Sequence, residues 1–212
     1  MQLILVRHAL PERIHASDAA AADRPGGPAD PPLTELGARQ AERLVGALAG
    51  EDVAGLYASP LARARGTAAP LAAALGRDPV IVHDLREYDA GAAHYVPVHE
   101  MARLDPGAWE RMLAGLLPEH VDVPAFTARV DAAFEGIIAA HEGREAAVVV
   151  AHAGVVNTWL AHLLGLPRPL TFPLDYAGIT RIIAARDGRR LVRTVNEIAH
   201  VADLLAMTAG TG

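Results

Sequence analysis

The chain has no cysteine among its 212 residues. That excludes disulfide frameworks, cysteine-ligated zinc, iron–sulfur clusters and thiol nucleophiles, and it fits a reducing compartment. Lysine is also missing: all 19 basic residues are arginine. Apart from the histidines, every side-chain cation is therefore a permanently charged planar fork suited to oxyanions. Aromatic residues make up only 4%, which leaves few rings for stacking on nucleic-acid bases. A formal charge of −6 also argues against a basic nucleic-acid-binding face. No apolar run approaches the ~18 residues of a membrane span. The first residues show no basic region ahead of a long apolar stretch, as a signal peptide would. The expected location is the cytoplasm, with no membrane partner.

What the chain does have is a set of short apolar runs. QLILVR (2–7) and AAVVVAH (146–152) lack alternation, as do central strands buried on both faces of a parallel sheet. AGLYASP (54–60) and PVIVHD (79–84) are further strand candidates, and residues 180–195 hold two runs around Asp187-Gly188, a hairpin signal. Helical periodicity covers 34–49, 61–75, 125–141 and 155–165, with Thr34 as an N-cap and Gly76 and Gly165 as C-caps. Strands alternating with helices predict an α/β fold: a three-layer α/β/α sandwich around a mostly parallel central sheet. The expected organisation is one domain over 1–212. Residues 89–124, broken by Pro97, Pro106, Pro118 and Pro124, read as a small helical insert. ASDAAAADRPGGPADPP (16–32) reads as a long loop.

Ligands in open α/β sheets bind at the carboxyl ends of strands. Arg7 ends the run 2–7 and His8 follows it, and Arg63 and Arg65 lie just beyond AGLYASP. Arg86-Glu87 follows PVIVHD, and His152 follows residues 146–151 ahead of a helix. Arginine forks bind phosphate oxygens, and a helix N-terminus adds donors for an anion. A neutral histidine can attack phosphorus, and a carboxylic acid can protonate a leaving oxygen. The set fits phosphoryl chemistry. Arg65, two residues from Arg63, points elsewhere on its helix.

LVRHA (5–9), LTELGARQA (33–41), ASPLARARGTA (58–68), LRE (85–87) and VVVAHAGVVN (148–157) together resemble the histidine phosphatase superfamily, in its phosphoglycerate-mutase-like branch. The resemblance spans roughly residues 2 to 200. It implies no metal and no cofactor. His8 would be the nucleophile, and Arg7, Arg63 and His152 would hold the phosphoryl oxygens. Glu87 would be the general acid, so that His8, Glu87 and His152 form the catalytic set. The chain departs from the family pattern at Ala9, Leu10-Pro11 and Ala153. These departures and the compact insert favour a phosphatase over a mutase.

The expected function is thus metal-independent hydrolysis of a small phosphorylated metabolite through a phosphohistidine. The alternatives are mutase-type phosphoryl transfer, a non-catalytic phosphate-binding protein, and a zinc hydrolase ligated by His8, His152 and Glu87. His8 is expected neutral and His152 cationic, with pKa values pushed apart. Arg13, by its place in the chain, is a candidate for the pocket mouth. Asn157 is a candidate substrate contact or a packing residue. Asp89 and Glu100 are possible substitutes for Glu87. A homodimer is the default oligomer.

Overall fold

The computed structural model describes residues 1–14, 28–141 and 143–209. The opening apolar run forms β1 (Gln2–Arg7), buried from Leu3 to its tip. The other strands are β2 (Val53–Ala58), β3 (Val80–Ile81), β4 (Ala146–Ala151), β5 (Ile179–Ala184) and β6 (Arg190–Glu197). They form a six-stranded sheet in the order β3-β2-β4-β1-β5-β6. β1 to β4 run parallel, while β5 is antiparallel to both β1 and β6. The sheet is mostly parallel, with an antiparallel hairpin on one edge.

The helices of the described residues are α1 (Glu35–Ala47), α2 (Ala62–Leu75), α3 (Val98–Leu104), α4 (Pro106–Leu113), α5 (Val123–Ala139), α6 (Ala153–Leu164) and α7 (Ala202–Ala209). Two cores explain why β1 and β4 do not alternate. Ile4, Val6, Val148 and Val150 pack with Leu44 of α1 and Ala64, Ala68 and Leu71 of α2. Leu3, Leu5, Ala147 and Val149 pack with Phe126 and Phe134 of α5 and Trp159 of α6. Both faces of each strand are covered by helices, so both sets of side chains must be apolar. This is the expected three-layer α/β/α sandwich.

Local differences have local causes. PVIVHD yields only the two-residue β3, followed by a 3-10 turn at His83–Leu85. β3 is an edge strand whose Val80 and Ile81 are exposed, so no second neighbour extends it. α5 starts at Val123 because the Asp122 side chain caps it by accepting from Ala125 N, with proline in its first turn. α7 lies beyond the periodic segments read from the sequence. The loop 16–32 falls partly outside the described residues. Its far end returns to the segment after β1: Glu12 N donates to the Pro32 carbonyl at 2.9 Å.

The backbone just after His8 is held on several sides. Ala9 N donates to Thr67 Oγ1 at 2.9 Å and Leu10 N to Gln40 Oε1 at 2.9 Å. The Leu10 carbonyl accepts from the Thr34 amide (3.0 Å) and hydroxyl (3.2 Å). A Cβ on Gly37 would collide with that same carbonyl. Gly37 is therefore needed for close approach to the segment after His8. We expect Gly37→Ala to lower stability to urea by about 1–3 kcal/mol. Gly46 on the same helix has open space around it, so Gly46→Ala should raise stability by about 0.5–1 kcal/mol. Equal shifts in the two urea midpoints would contradict this placement of Gly37.

Candidate active site

Four strand ends meet where the resemblance predicts. Arg7 ends β1 and His8 follows it. Arg63 lies in the first turn of α2, after β2. Glu87 follows the turn after β3, and His152 precedes α6 after β4. All five are buried, with Arg63 only 1% and His152 0% exposed. The His8 and His152 rings lie 5.1 Å apart between centroids.

His8 Nδ1 lies 2.8 Å from the Ala9 carbonyl. A carbonyl only accepts, so neutral His8 carries its proton on Nδ1 and its lone pair on Nε2. Burial, Arg63 and Arg7 together hold the His8 pKa well below the usual imidazole range. His152 Nε2 lies 2.7 Å from the buried Ser59 hydroxyl. Its pKa is also driven well down, by burial, Arg63, His8 and Arg7. The same cations drive both rings toward the neutral form, so the structure does not hold His152 as the expected cation.

Glu87 Oε2 accepts from Gly154 N at 2.8 Å, and Oε1 from Tyr88 N at 3.1 Å. A Cβ on Gly154 would collide with this carboxyl group, which explains glycine there. Burial and then Asp89 raise the Glu87 pKa to about 7, against the two amide bonds and Arg63. Asp89 does not substitute for Glu87; it pairs with Arg63 Nη2 at 2.9 Å. Arg7 Nη1 donates to the Leu174 carbonyl. Among the described residues, Arg7 Nε, Arg63 Nε and Nη1, and His152 Nδ1 are buried nitrogen atoms with no hydrogen-bond partner. Such orphans are costly unless a ligand meets them. No group of three or more His, Asp or Glu side chains among the described residues is gathered to hold a metal ion.

Of the two readings of Asn157, the structure places it as a packing residue: its Nδ2 donates to the Phe172 carbonyl at 2.9 Å and its Oδ1 accepts from Phe172 N at 2.8 Å. Both ends of the amide bind backbone. Ala9, one of the departures from the family pattern, is buried in the core cluster beside α1 and α2. Arg13 pairs with Glu100 of α3 at 2.7 Å and is partly exposed. It ties the segment after β1 to the 89–124 region, and Glu100 is thereby engaged away from Glu87. Arg65 is exposed on α2.

The sequence reading missed Ser59, Tyr95 and Tyr176. The Tyr176 ring covers Arg7, with 3.9 Å from its centroid to the guanidinium carbon, and Tyr95 covers Arg63 at 4.7 Å. Both tyrosines lie in irregular segments with no periodic signal. Ser59 stood in a quoted motif, but its histidine partner is 93 residues away.

Asn157→Ala should lower stability by about 1–3 kcal/mol by orphaning two buried backbone groups. Its KM for an aryl phosphate should stay within about two-fold of wild type, since no ligand contact is lost. A raised KM with an unchanged urea midpoint would restore Asn157 as a binding residue.

Comparison with known proteins agrees with this geometry. The family model of the histidine phosphatase superfamily (branch 1) matches residues 3–197. A bifunctional protein of Mycobacterium tuberculosis is 30% identical over 206 residues, covering 94% of this chain and 55% of that protein. The chain thus spans about half the length of the first curated relatives it matches. A probable phosphoglycerate mutase of Yersinia pestis is 29% identical over 171 residues, 79% of this chain and 76% of the relative. Among solved structures, Bacillus stearothermophilus YhfR superposes with a TM-score of 0.73 at 26% identity, covering 94% of this chain and 98% of that one. Phosphoserine phosphatase from Entamoeba histolytica, in complex with 3-phosphoglyceric acid, does so at 0.70 and 23% identity, with the same coverage. The four converging strand ends and a family match over nearly the whole chain lead to one conclusion: this protein belongs to the histidine phosphatase superfamily, branch 1.

Proposed function

We propose that the protein is a metal-independent phosphomonoesterase acting on a small phosphorylated metabolite through a phosphohistidine on His8. The observation that carries this reading is the set of buried, unpartnered nitrogen atoms of Arg7, Arg63 and His152 around His8. They are donors arranged for oxyanions, and a phosphoryl group supplies the matching acceptors.

In the first step, His8 Nε2 attacks phosphorus and the bond from phosphorus to the ester oxygen breaks. The Glu87 carboxyl proton goes to that oxygen, which leaves as an alcohol. In the second step, water gives a proton to the Glu87 carboxylate and attacks phosphorus. The N–P bond breaks, inorganic phosphate leaves and His8 returns neutral. Arg7, Arg63 and His152 hold the phosphoryl oxygens throughout and spread their charge. A pKa of about 7 leaves a large fraction of Glu87 protonated for the first step near neutral pH and lets it act as a base in the second. The depressed His8 pKa keeps the nucleophile neutral.

The roof of Tyr95 and Tyr176 over the arginines supports a small substrate rather than a phosphoprotein. In the same proposal residues 1–212 are one domain, with 89–124 as its insert and Arg13 at the mouth. The likeness to a probable phosphoglycerate mutase makes a mutase the second reading. It shares the first step and returns the phosphoryl group to a bound acceptor instead of water.

The test is hydrolysis of p-nitrophenyl phosphate between about pH 4 and about pH 9, with and without EDTA. Activity should survive EDTA and fall by about 10³-fold or more in His8→Ala. Above neutrality kcat/KM should decline, because Glu87 loses its proton as pH rises through about 7. Glu87→Gln should be slower by about 10²–10⁴-fold and lack that decline. Phosphate trapped on His8 without release to water would favour the mutase. Full activity in His8→Ala, or loss with EDTA, would overturn the proposal.

A further inference from the structure

One side chain outside the strand ends touches the phosphate cluster and the insert at once. The Tyr176 ring has the Arg7 guanidinium carbon 3.9 Å from its centroid and lies 5.9 Å from the His8 ring between centroids. Its hydroxyl accepts from Val98 N at 3.1 Å, the first amide of α3. The His99 ring meets the Tyr176 ring edge-on at 6.4 Å. Tyr176 is itself buried.

The segment carrying Tyr176 is held in place from behind. Ala177 takes a left-handed backbone, φ 57°, which a residue with a Cβ adopts only under restraint. Surrounding bonds enforce it. Ala177 N donates to the Arg7 carbonyl at 3.1 Å, and Arg7 N to the Gly178 carbonyl at 3.1 Å. His200 Nε2 lies 3.0 Å from the Ala177 carbonyl. Asn196 accepts from Asp175 N at 2.8 Å and donates to the Asp175 carboxylate at 2.7 Å. A Cβ on Gly178 would collide with the Asn196 amide. This accounts for VNEIAHV (195–201): Asn196 and His200 brace the turn that presents Tyr176.

We propose that Tyr176 is a positioning residue with two tasks, its ring face setting the plane of Arg7 for the phosphoryl oxygens and its hydroxyl fastening α3 over the pocket. The inference rests on the phosphatase reading. Arginine carries many rotamers; the Leu174 carbonyl accepts from Arg7 Nη1, the Tyr176 hydroxyl also interacts with the guanidinium, and Nε is unpartnered. The ring supplies the remaining restraint through cation–π attraction. Because the same ring holds the first amide of α3, docking of α3 and seating of the anion are linked through it.

The test separates the two tasks with orthovanadate as the phosphoryl mimic. Tyr176→Phe keeps the ring and loses the hydroxyl. Its vanadate inhibition constant should stay within about three-fold of wild type. Amide exchange across residues 97–104 should quicken by about ten-fold or more. Tyr176→Leu loses both contacts. Its KM and vanadate constant should rise by about ten-fold or more, with a smaller change in kcat. Vanadate binding by Tyr176→Leu equal to wild type overturns the first task. Unchanged exchange in Tyr176→Phe overturns the second, and this arm decides alone if Tyr176→Leu does not fold. Failure of the wild type itself to bind vanadate would overturn the phosphatase reading, and the inference with it.

Discussion

The structure depends on burying two guanidinium cations side by side with two imidazoles. Arg7 and Arg63 are almost wholly removed from water, where an unpaired charge costs several kcal/mol or more. The surroundings compensate in three ways. Asp89 supplies a counter-charge to Arg63, the Leu174 carbonyl accepts from Arg7, and tyrosine rings lie over both. Arg7 Nε, and Arg63 Nε and Nη1, have no protein partner among the described residues. A phosphoryl group completes the set, which is why electrostatics and the proposed function cannot be separated here.

The same field orders the titrations. Two permanent cations and low dielectric drive both imidazoles toward the neutral form. Glu87 is raised to about 7, by burial first and Asp89 second, against the pull of Arg63. A neutral nucleophile thereby coexists with a protonated acid near neutral pH. Arriving phosphoryl charge would oppose the arginines and raise the basicity of His152. The arrangement needs no lysine and no thiol, in keeping with a chain that has neither.

Precision comes from backbone clamps on either side of Arg7 and His8. Thr34, Gly37, Gln40 and Thr67 hold the chain after His8. The 175–178 turn, braced by Asn196 and His200, holds the tip of β1 from the other side. LTELGARQA thus reads as a clamp on the strand end as well as a core helix. Gly37 packs against the Leu10 carbonyl rather than against the sheet.

Much of this was legible in the chain because it is local. Unbroken apolar runs mark β1 and β4, since a strand covered on both faces has no polar side. Arg7, His8, Arg63, Glu87 and His152 could be listed because each sits at the end of a run, where this sheet opens to ligands. Local patterning along the chain suffices for the layered fold and for the identity of the charged side chains. Their partners follow from long-range packing. Asn157 became a backbone clamp, Asp89 a counter-charge and Arg13 a tie to α3 through contacts that no periodicity encodes. Tyr176 reaches Arg7 across 169 residues only because β5 pairs with β1. Secondary structure is written in local patterning, whereas the pairing of buried polar groups depends on which segments the sheet brings side by side.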